Sequence, residues 1–533
     1  MQAAKKQRTV FRSFGACFAI LCLATANLAF EAESTKGLEE RVKEIMNRPA
    51  YRNVIFGIEI YSLDEGKPIY SFNADKLFIP ASTTKVLFQG AGLKLLGSDY
   101  RFHTRVFRTG PIDANGVLSG DLVLVASGDP NLSNRIQPDD TLAFTNDDHT
   151  SPSLTAGIPG DPLVVIRELA HQVAAQGVRT VKGRVLVDVS FFPEGEREIG
   201  TGLTLSPVVI NDNLIDLVLQ PGKSQGAPAS LQPSMETSYI RFVNELKTGP
   251  SGTYPSLHWD DVRHPDGSRI VTVTGTTPAD RATVYYPYPL QEPSRFAQAV
   301  LMEALQRERV KVSSGSTGNE PDFVSLSKSY TPENQVAEHI SPPLSEDVKV
   351  TLKISHNVHA GLTPFILGAV LRHEHSDAKN AGFRLEQEFL SHAELDLSGA
   401  SQADAYGGDA ADCFTPDFMV HFLAYMAKQK EYSAFRSALP IMGRDGTLAD
   451  IQVKSPAAGH VYAKTGTYDS FDLLNRRSLI HAKGLVGYIE ARNGEHLAFA
   501  LFANHVPQIE GSNIGEAFGE IATAAYERSA ESH

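Results

Sequence analysis

Ile79-Pro80-Ala81-Ser82-Thr83-Thr84-Lys85 is the stretch from which the rest of this chain is read. The residues after Pro80 open a helix near Ser82. Ser82 and Lys85 stand three apart at that start, so they share one face and the ammonium comes within hydrogen-bond reach of the hydroxyl. A serine hydroxyl is a weak nucleophile at neutral pH. A lysine whose pKa is lowered by burial or by neighbouring cations can take its proton. The helix N-terminus adds a favourable field for developing negative charge.

Two further triplets follow Ser82-Thr83-Thr84-Lys85 in chain order, Ser355-His356-Asn357 and Lys464-Thr465-Gly466, and the three together suggest a serine acyl-transferase. Each triplet alone is weak. Ser325-Leu326-Ser327-Lys328, Ser71-Phe72-Asn73 and Lys247-Thr248-Gly249 match the same patterns. Context separates them. Ser325 to Lys328 lies in a polar stretch that reads as a solvated loop. Lys247-Thr248-Gly249 runs into Pro250-Ser251-Gly252, turn chemistry with no expected ladder partner. Lys464, by contrast, follows Val461-Tyr462-Ala463 and precedes Thr467-Tyr468, as in a strand that walls a cleft. There Gly466 permits close approach of substrate and backbone, and the Thr467 N–H joins that of Ser82 as an oxyanion-hole candidate. Ser355 and Asn357 sit where a turn enters a helix near Val358. Ser355 is either an ordinary helix cap or a proton relay to the leaving amine.

Outward from these motifs, the periodicity divides the chain. A short amphipathic helix (Leu38, Val42, Ile45, Met46) precedes a strand at Val54–Tyr61, and Asp64 to Pro68 turns it back into Ile69–Phe72. From about Arg105 to Tyr288 the runs are short and strand-like, with one helix at Val164–Gln176. Asn131 to Asp161 reads as a long loop without period. Helical spacing then dominates Pro293–Arg309, Asn357–His373, Ala378–His392 and Pro416–Lys430. Leu485–Ala491 and Leu497–Asn504 read as paired strands, and Gly515–Arg528 as a closing helix. The order predicts one domain in two parts, 34–104 and 335–533, split by an inserted region at 105–334.

Composition limits the function. With 42% apolar and 21% charged residues among 533, the chain can bury full cores. Its 49 basic and 62 acidic residues give −13, which argues against a nucleic-acid partner. Lys5, Lys6, Arg8 and Arg12 precede the apolar run Phe14–Leu23 and the small residues Ala24-Thr25-Ala26, which predicts a secretory signal over residues 1–29 and an exported protein. Cys17 and Cys22 fall inside it, so Cys413 alone remains and forms no intramolecular disulfide. No later run approaches about 20 apolar residues, so no stable membrane span is expected after signal cleavage. His373-Glu374-His375 reads as a polar helix end and not as a metal site. The chemistry calls for no metal and no cofactor.

The motifs and their surroundings resemble the insertion-bearing D-alanyl-D-alanine carboxypeptidases, the type-4 low-molecular-mass penicillin-binding proteins. The resemblance runs from about Val54 to Asn504. Besides the triplets it rests on Leu118-Ser119-Gly120-Asp121-Leu122, Gly128-Asp129-Pro130-Asn131-Leu132, Ser341-Pro342-Pro343-Leu344-Ser345 and Gly443-Arg444-Asp445-Gly446-Thr447-Leu448. It implies an α/β fold, a penicilloyl-transferase (β-lactamase-like) domain with an antiparallel sheet and helices, interrupted by a large β-rich inserted region. It also implies a reaction at the D-Ala-D-Ala end of peptidoglycan stem peptides in the periplasm or cell envelope. Ser82 would be the nucleophile and Lys85 its base, assisted by Ser355 and Asn357, with Lys464 and Thr465 holding the substrate carboxylate beside Gly466 and Thr467. The same chemistry cleaves D-Ala cross-links, and β-lactam antibiotics would acylate Ser82 as covalent inhibitors.

The sequence departs from that family in three places. His356 stands where an Asp is usual, Asp404-Ala405-Tyr406-Gly407-Gly408-Asp409-Ala410 replaces Asp-Gly-Ser-Gly-Leu-Ser-Arg, and the hairpin after Lys464 is lengthened from Tyr468 to Lys483. Two other functions fit the same residues. A β-lactamase or esterase would share Ser82, Lys85 and Lys464 but deacylate fast, and a wall-binding protein of weak activity would keep the fold.

Overall fold

The computed structural model describes residues 37–147, 149–154, 157–313, 321–510 and 512–528, so the expected secretory signal at 1–29 lies outside the described residues. Five antiparallel strands form the sheet that carries the site. From one edge to the other they are Val461–Asp472, Arg477–Glu490, His496–Pro507, Ile55–Ser62 and Lys67–Phe72. Strand Leu497–Ala503 is apolar at every position because both faces of the sheet are covered. Leu497, Phe499 and Leu501 meet the helices Leu38–Met46 and Ile514–Glu527 on one face. Ala498, Ala500 and Phe502 meet Val86, Leu87, Phe418 and Phe422 on the other.

Helix Lys85–Leu96 is buried on every face from Lys85 to Leu93, as expected of a helix that is apolar all round. It packs among the helices Leu344–Lys353, Asn357–Arg372 and Ala378–His392, which places Ser82 between the sheet edge and the helical layer. The approach to Ser82 is pinned at Phe78. Its backbone exchanges two 2.9 Å hydrogen bonds with Phe414, and its ring stacks on Phe502 at a centroid separation of 6.0 Å.

Between Lys85–Leu96 and Leu344–Lys353 lies the inserted region, with an apolar core of its own. Strand His103–Arg108, where the chain enters this region, pairs antiparallel with strand Gln335–Ile340, where it leaves. The run Val117–Val125 divides into Val117–Leu118 and Leu122–Val125, which join different sheets. The described residues of 131–161 are irregular but anchored to the helical part. Asn131 Nδ2 donates to Asp347 Oδ1 at 2.8 Å, the Leu142 N–H to Glu346 Oε2 at 2.8 Å, and the Gly446 N–H to Asn146 Oδ1 at 2.8 Å.

Two expectations about decoy motifs are corrected. Lys247–Gly249 is a strand after all, parallel to Thr276–Pro278 of its neighbour, since Pro250 follows the ladder residues instead of interrupting them. Ser325 to Lys328 is helical, capped by Asp322, although solvent-exposed. His373-Glu374-His375 ends its helix, with His373 as the left-handed cap. Among the described residues no helix is long and apolar enough to cross a membrane.

Removing the ring that supports Phe78 tests this layering. Phe502→Ala is expected to cost about 3–5 kcal/mol, the range for deleting a buried aromatic, read as a lower urea midpoint with an unchanged denaturant slope.

Candidate active site

Ser82 lies in a 3-10 turn, Ala81–Thr84, and the α-helix proper begins at Lys85. The tighter winding eclipses residues i and i+3. It sets Lys85 Nζ 2.9 Å from Ser82 Oγ. Ala81 is held at φ 47°, a left-handed conformation costly for a residue with a Cβ. The Lys85 ammonium is fully buried and has two more acceptors, Asn357 Oδ1 at 2.6 Å and the Tyr406 carbonyl at 2.8 Å. A charge removed from water requires such partners.

Ser355 turns the chain at φ 64° before helix Asn357–Arg372. His356, not Ser355, caps that helix: its ring accepts from the His359 N–H at 3.4 Å. Ser355 Oγ is thereby left to accept from Lys464 Nζ at 2.7 Å. Lys464 is fully buried on the edge strand Val461–Asp472. Burial, with the charges of Lys85 and Lys483, holds it well below the ordinary lysine range.

Close backbone approach sets the width of the cleft. A Cβ on Gly466 would lie 2.4 Å from the Pro80 carbonyl and 3.2 Å from the Ser82 nitrogen, so only glycine lets the edge strand reach the nucleophile. Thr465 Oγ1 donates to Thr447 Oγ1 at 2.8 Å, and Lys483 Nζ to Thr467 Oγ1 at 2.7 Å. Lys483 is brought down to about 8 by burial. The structure thus brings Ser82, Lys85, Ser355, Asn357, Lys464, Thr465, Gly466 and Thr467 to one cleft.

The segments that depart from the family pattern support this cleft. Asp404 accepts the N–H groups of Tyr406, Gly407, Gly408 and Asp409 at 2.5–2.9 Å and folds the loop that presents the Tyr406 carbonyl to Lys85. Gly407, at φ 79°, lies against Ala81, where a Cβ would stand 1.9 Å from the carbonyl oxygen. Lys353 Nζ reaches both Asp445 oxygens at 2.8 Å and fixes the approach to Ser355.

His356 itself faces away from the cleft into a buried cluster centred on Asp212 of the inserted region. Asp212 Oδ2 lies 2.6 Å from His149 Nε2, 3.2 Å from His356 Nε2 and 2.8 Å from Arg135 Nη2, and its Oδ1 lies 2.8 Å from His359 Nε2. Asn211, Asp212 and Asn213 are all left-handed, a conformation that Asn and Asp tolerate better than other side chains. His149, Asp212 and His356 offer ligand-type atoms within 4.8 Å of one another, but the Arg135 guanidinium already supplies positive charge at the same oxygen.

Burial pushes the Asp212 carboxyl up, yet Arg135, His356 and His149 outweigh it and hold Asp212 well below the usual range. Burial lowers the two neighbouring imidazoles, but the carboxylates overcome it. Asp212 and Asp216 raise His149 to about 10, and Asp347 and Asp212 raise His359 to about 9.

Sequence reading missed Asp212, Glu198 and Tyr406, all buried polar residues near the cleft. Asp212 had one signal, the turn-forming run Asn211-Asp212-Asn213 at the start of the strand-like run expected from Asn211 to Gln220.

The chain matches the D-Ala-D-Ala carboxypeptidase 3 (S13) family over residues 38–525 and belongs to it. It is a serine peptidase of the D-alanyl-D-alanine carboxypeptidase type. It is 27% identical over 487 residues to the D-alanyl-D-alanine carboxypeptidase of Actinomadura sp. (strain R39), covering 88% of this chain and 81% of that protein. Identity to D-alanyl-D-alanine carboxypeptidase DacB of Haemophilus influenzae is 24% over 454 residues, covering 83% and 84%. The crystal structure of penicillin binding protein 4 (dacB) from Haemophilus influenzae superposes with a TM-score of 0.67 at 20% identity, covering 91% of this chain and 98% of that one, and establishes the fold.

The Asp212 cluster has a pH signature. His149 and His359 are raised from 6.5 in the folded chain, so their stabilisation is complete below pH 6.5 and fades as pH rises through about 9 and 10. Asp212 is depressed, so its contribution is lost only in strong acid. Urea unfolding of the native chain should show falling stability from pH 7 to pH 10.5. Asp212→Asn should flatten that slope and cost about 3–5 kcal/mol near neutrality, as expected when one partner of a buried ion pair is removed.

Proposed function

We propose that this chain cleaves the D-Ala-D-Ala end of peptidoglycan stem peptides through an acyl-enzyme at Ser82. The observation that carries the proposal is the contact between Lys85 Nζ and Ser82 Oγ at 2.9 Å, with Lys85 held by Asn357 and Tyr406. As a free amine, Lys85 accepts the Ser82 proton while Oγ bonds to the carbonyl carbon between the two D-alanines. The carbonyl oxygen takes the negative charge between the N–H groups of Ser82 and Thr467.

Lys85 then gives up that proton to the leaving D-Ala nitrogen as the C–N bond breaks, directly or through the hydroxyl of Ser355, which Lys464 holds in place, and is again a free amine. Thr465, Thr467 and Lys464 bind the terminal carboxylate. Water, deprotonated by the same groups, adds to the ester carbon and releases the peptide acid and Ser82. Cross-links ending in D-Ala are cleaved by the same steps.

A β-lactam amide enters the same route and remains as an ester on Ser82. One solved relative, penicillin binding protein 4 from Haemophilus influenzae, is held in complex with a β-lactam. The basic, apolar and small-residue order of residues 1–29 supports export to the periplasm or cell envelope. The apolar core confined to residues between Val106 and Ala337 supports a domain in two parts, 34–104 and 335–533, around an inserted region at 105–334, although Phe192, Leu203, Leu205, Val209 and Leu214 of that region pack into the helical core.

Release of D-alanine from a pentapeptide ending in D-Ala-D-Ala tests the reading. Ser82→Ala is expected to lose activity by at least about 10³-fold, and Lys85→Ala similarly, with thermal midpoints that still report a folded protein. Release at the native rate from Ser82→Ala would contradict the assignment.

A further inference from the structure

Glu198 belongs to the inserted region, yet its carboxylate ends in the active site. The loop Glu194–Leu205 folds back on itself: the Gly195 N–H donates to the Leu205 carbonyl at 3.1 Å, Leu205 to Glu196 at 2.8 Å, and Glu198 to Leu203 at 3.0 Å. Three glutamates punctuate the loop and point in different directions. Glu194 accepts from Ser206 and Ser294, and Glu196 pairs with Lys379 at the surface. Glu198 turns inward and is 1% exposed.

Its Oε2 accepts from the Thr201 N–H at 3.0 Å and from the Thr201 hydroxyl, and its Oε1 accepts from Asn357 Nδ2 at 2.5 Å. Gly200, at φ 118°, covers this contact so closely that a Cβ would stand 3.2 Å from Glu198 Oε1 and 3.6 Å from Asn357 Nδ2. The loop is tied to the catalytic side by Tyr406, whose hydroxyl accepts from the Ile199 N–H at 3.2 Å and whose carbonyl accepts from Lys85.

We propose that Glu198 is a positioning residue for acylation, which orients the Asn357 amide so that its carbonyl faces Lys85. The inference rests on the reading of Ser82 and Lys85 given above. A primary amide has one face that donates and one that accepts. An ionised carboxylate only accepts, so it takes the Asn357 NH₂ group, and Oδ1 is left at 2.6 Å from Lys85 Nζ. The flipped amide would set its NH₂ group against the ammonium and its oxygen against the carboxylate, two repulsive contacts in place of two attractive ones. Burial raises the Glu198 carboxyl, while Thr201, Asn357 and the charge of Lys85 work in the opposite direction. The inserted region therefore completes the site as well as flanking it.

The test uses the full mature chain and two readouts, the second-order rate of acylation by a fluorescent penicillin and D-alanine release from a pentapeptide, from pH 5 to pH 10. Glu198→Gln keeps size and hydrogen-bonding capacity but accepts either amide orientation. It should acylate about tenfold more slowly on the pH plateau. Its acid limb should move to lower pH, because removing a negative charge near Lys85 favours the free amine.

Asn357→Asp alone places two carboxylates together and should be the more damaging change. Combined with Glu198→Gln it recreates a donor and acceptor pair of reversed polarity, and the double variant should acylate faster than Asn357→Asp. Native rate and profile in Glu198→Gln would overturn the proposal. So would a loss that follows only the folded fraction with no change in pH profile, or a double variant no faster than Asn357→Asp. If Ser82→Ala still acylates, the underlying reading fails instead, and that outcome is separable from the others.

Discussion

One buried ammonium organises this protein. Lys85 lies at the start of a helix enclosed on all sides, and its charge has left water entirely. The desolvation cost of such a group is several kcal/mol, so acceptors must be delivered from elsewhere in the chain. They come from a hydroxyl three residues earlier, an amide at the mouth of helix Asn357–Arg372 and a carbonyl on the loop shaped by Asp404. Each acceptor is itself held by a further group, namely the strained turn at Ala81, the Glu198 carboxylate and the backbone nest around Asp404. The geometry that lets an ammonium survive burial is also the geometry that sets a base beside a serine.

The departures from the family pattern fit this picture. His356 does not point at substrate; it caps its own helix and reaches Asp212 of the inserted region, while Ser355 and Asn357 on either side turn into the cleft. Tyr406 offers Lys85 its backbone carbonyl, a contact available to any side chain at that position, and uses its hydroxyl to hold the inserted loop. The lengthened hairpin continues the edge strand past Gly466 to Asp472, and its tip exposes Leu473 and Leu474.

Much of the site was legible in the sequence because its parts are local. Ser82 and Lys85 are three residues apart, Lys464 to Thr467 are consecutive on one strand, and Ser355 and Asn357 flank one residue. Chain order and flanking apolar runs separated these from the decoys, although Lys247–Gly249 proved to be a strand whose parallel partner comes later in the chain. The closing strands and helices were visible for the same reason: each carries its own apolar period. Glu198, Asp212 and Tyr406 were not legible, because their roles exist only across contacts that join distant segments. A glutamate in a polar loop, or an aspartate between two asparagines, looks like turn chemistry until the inserted region folds onto the helical layer.

The most direct measurement is the location of the covalent adduct formed with benzylpenicillin. After saturation, rapid denaturation and tryptic digestion, mass spectrometry should find a single penicilloyl group on the peptide Leu77–Lys85, attached to Ser82, and no such adduct in Lys85→Ala over the same exposure. An adduct on any other peptide, or undiminished labelling of Ser82 without Lys85, would contradict a site built around that buried ammonium.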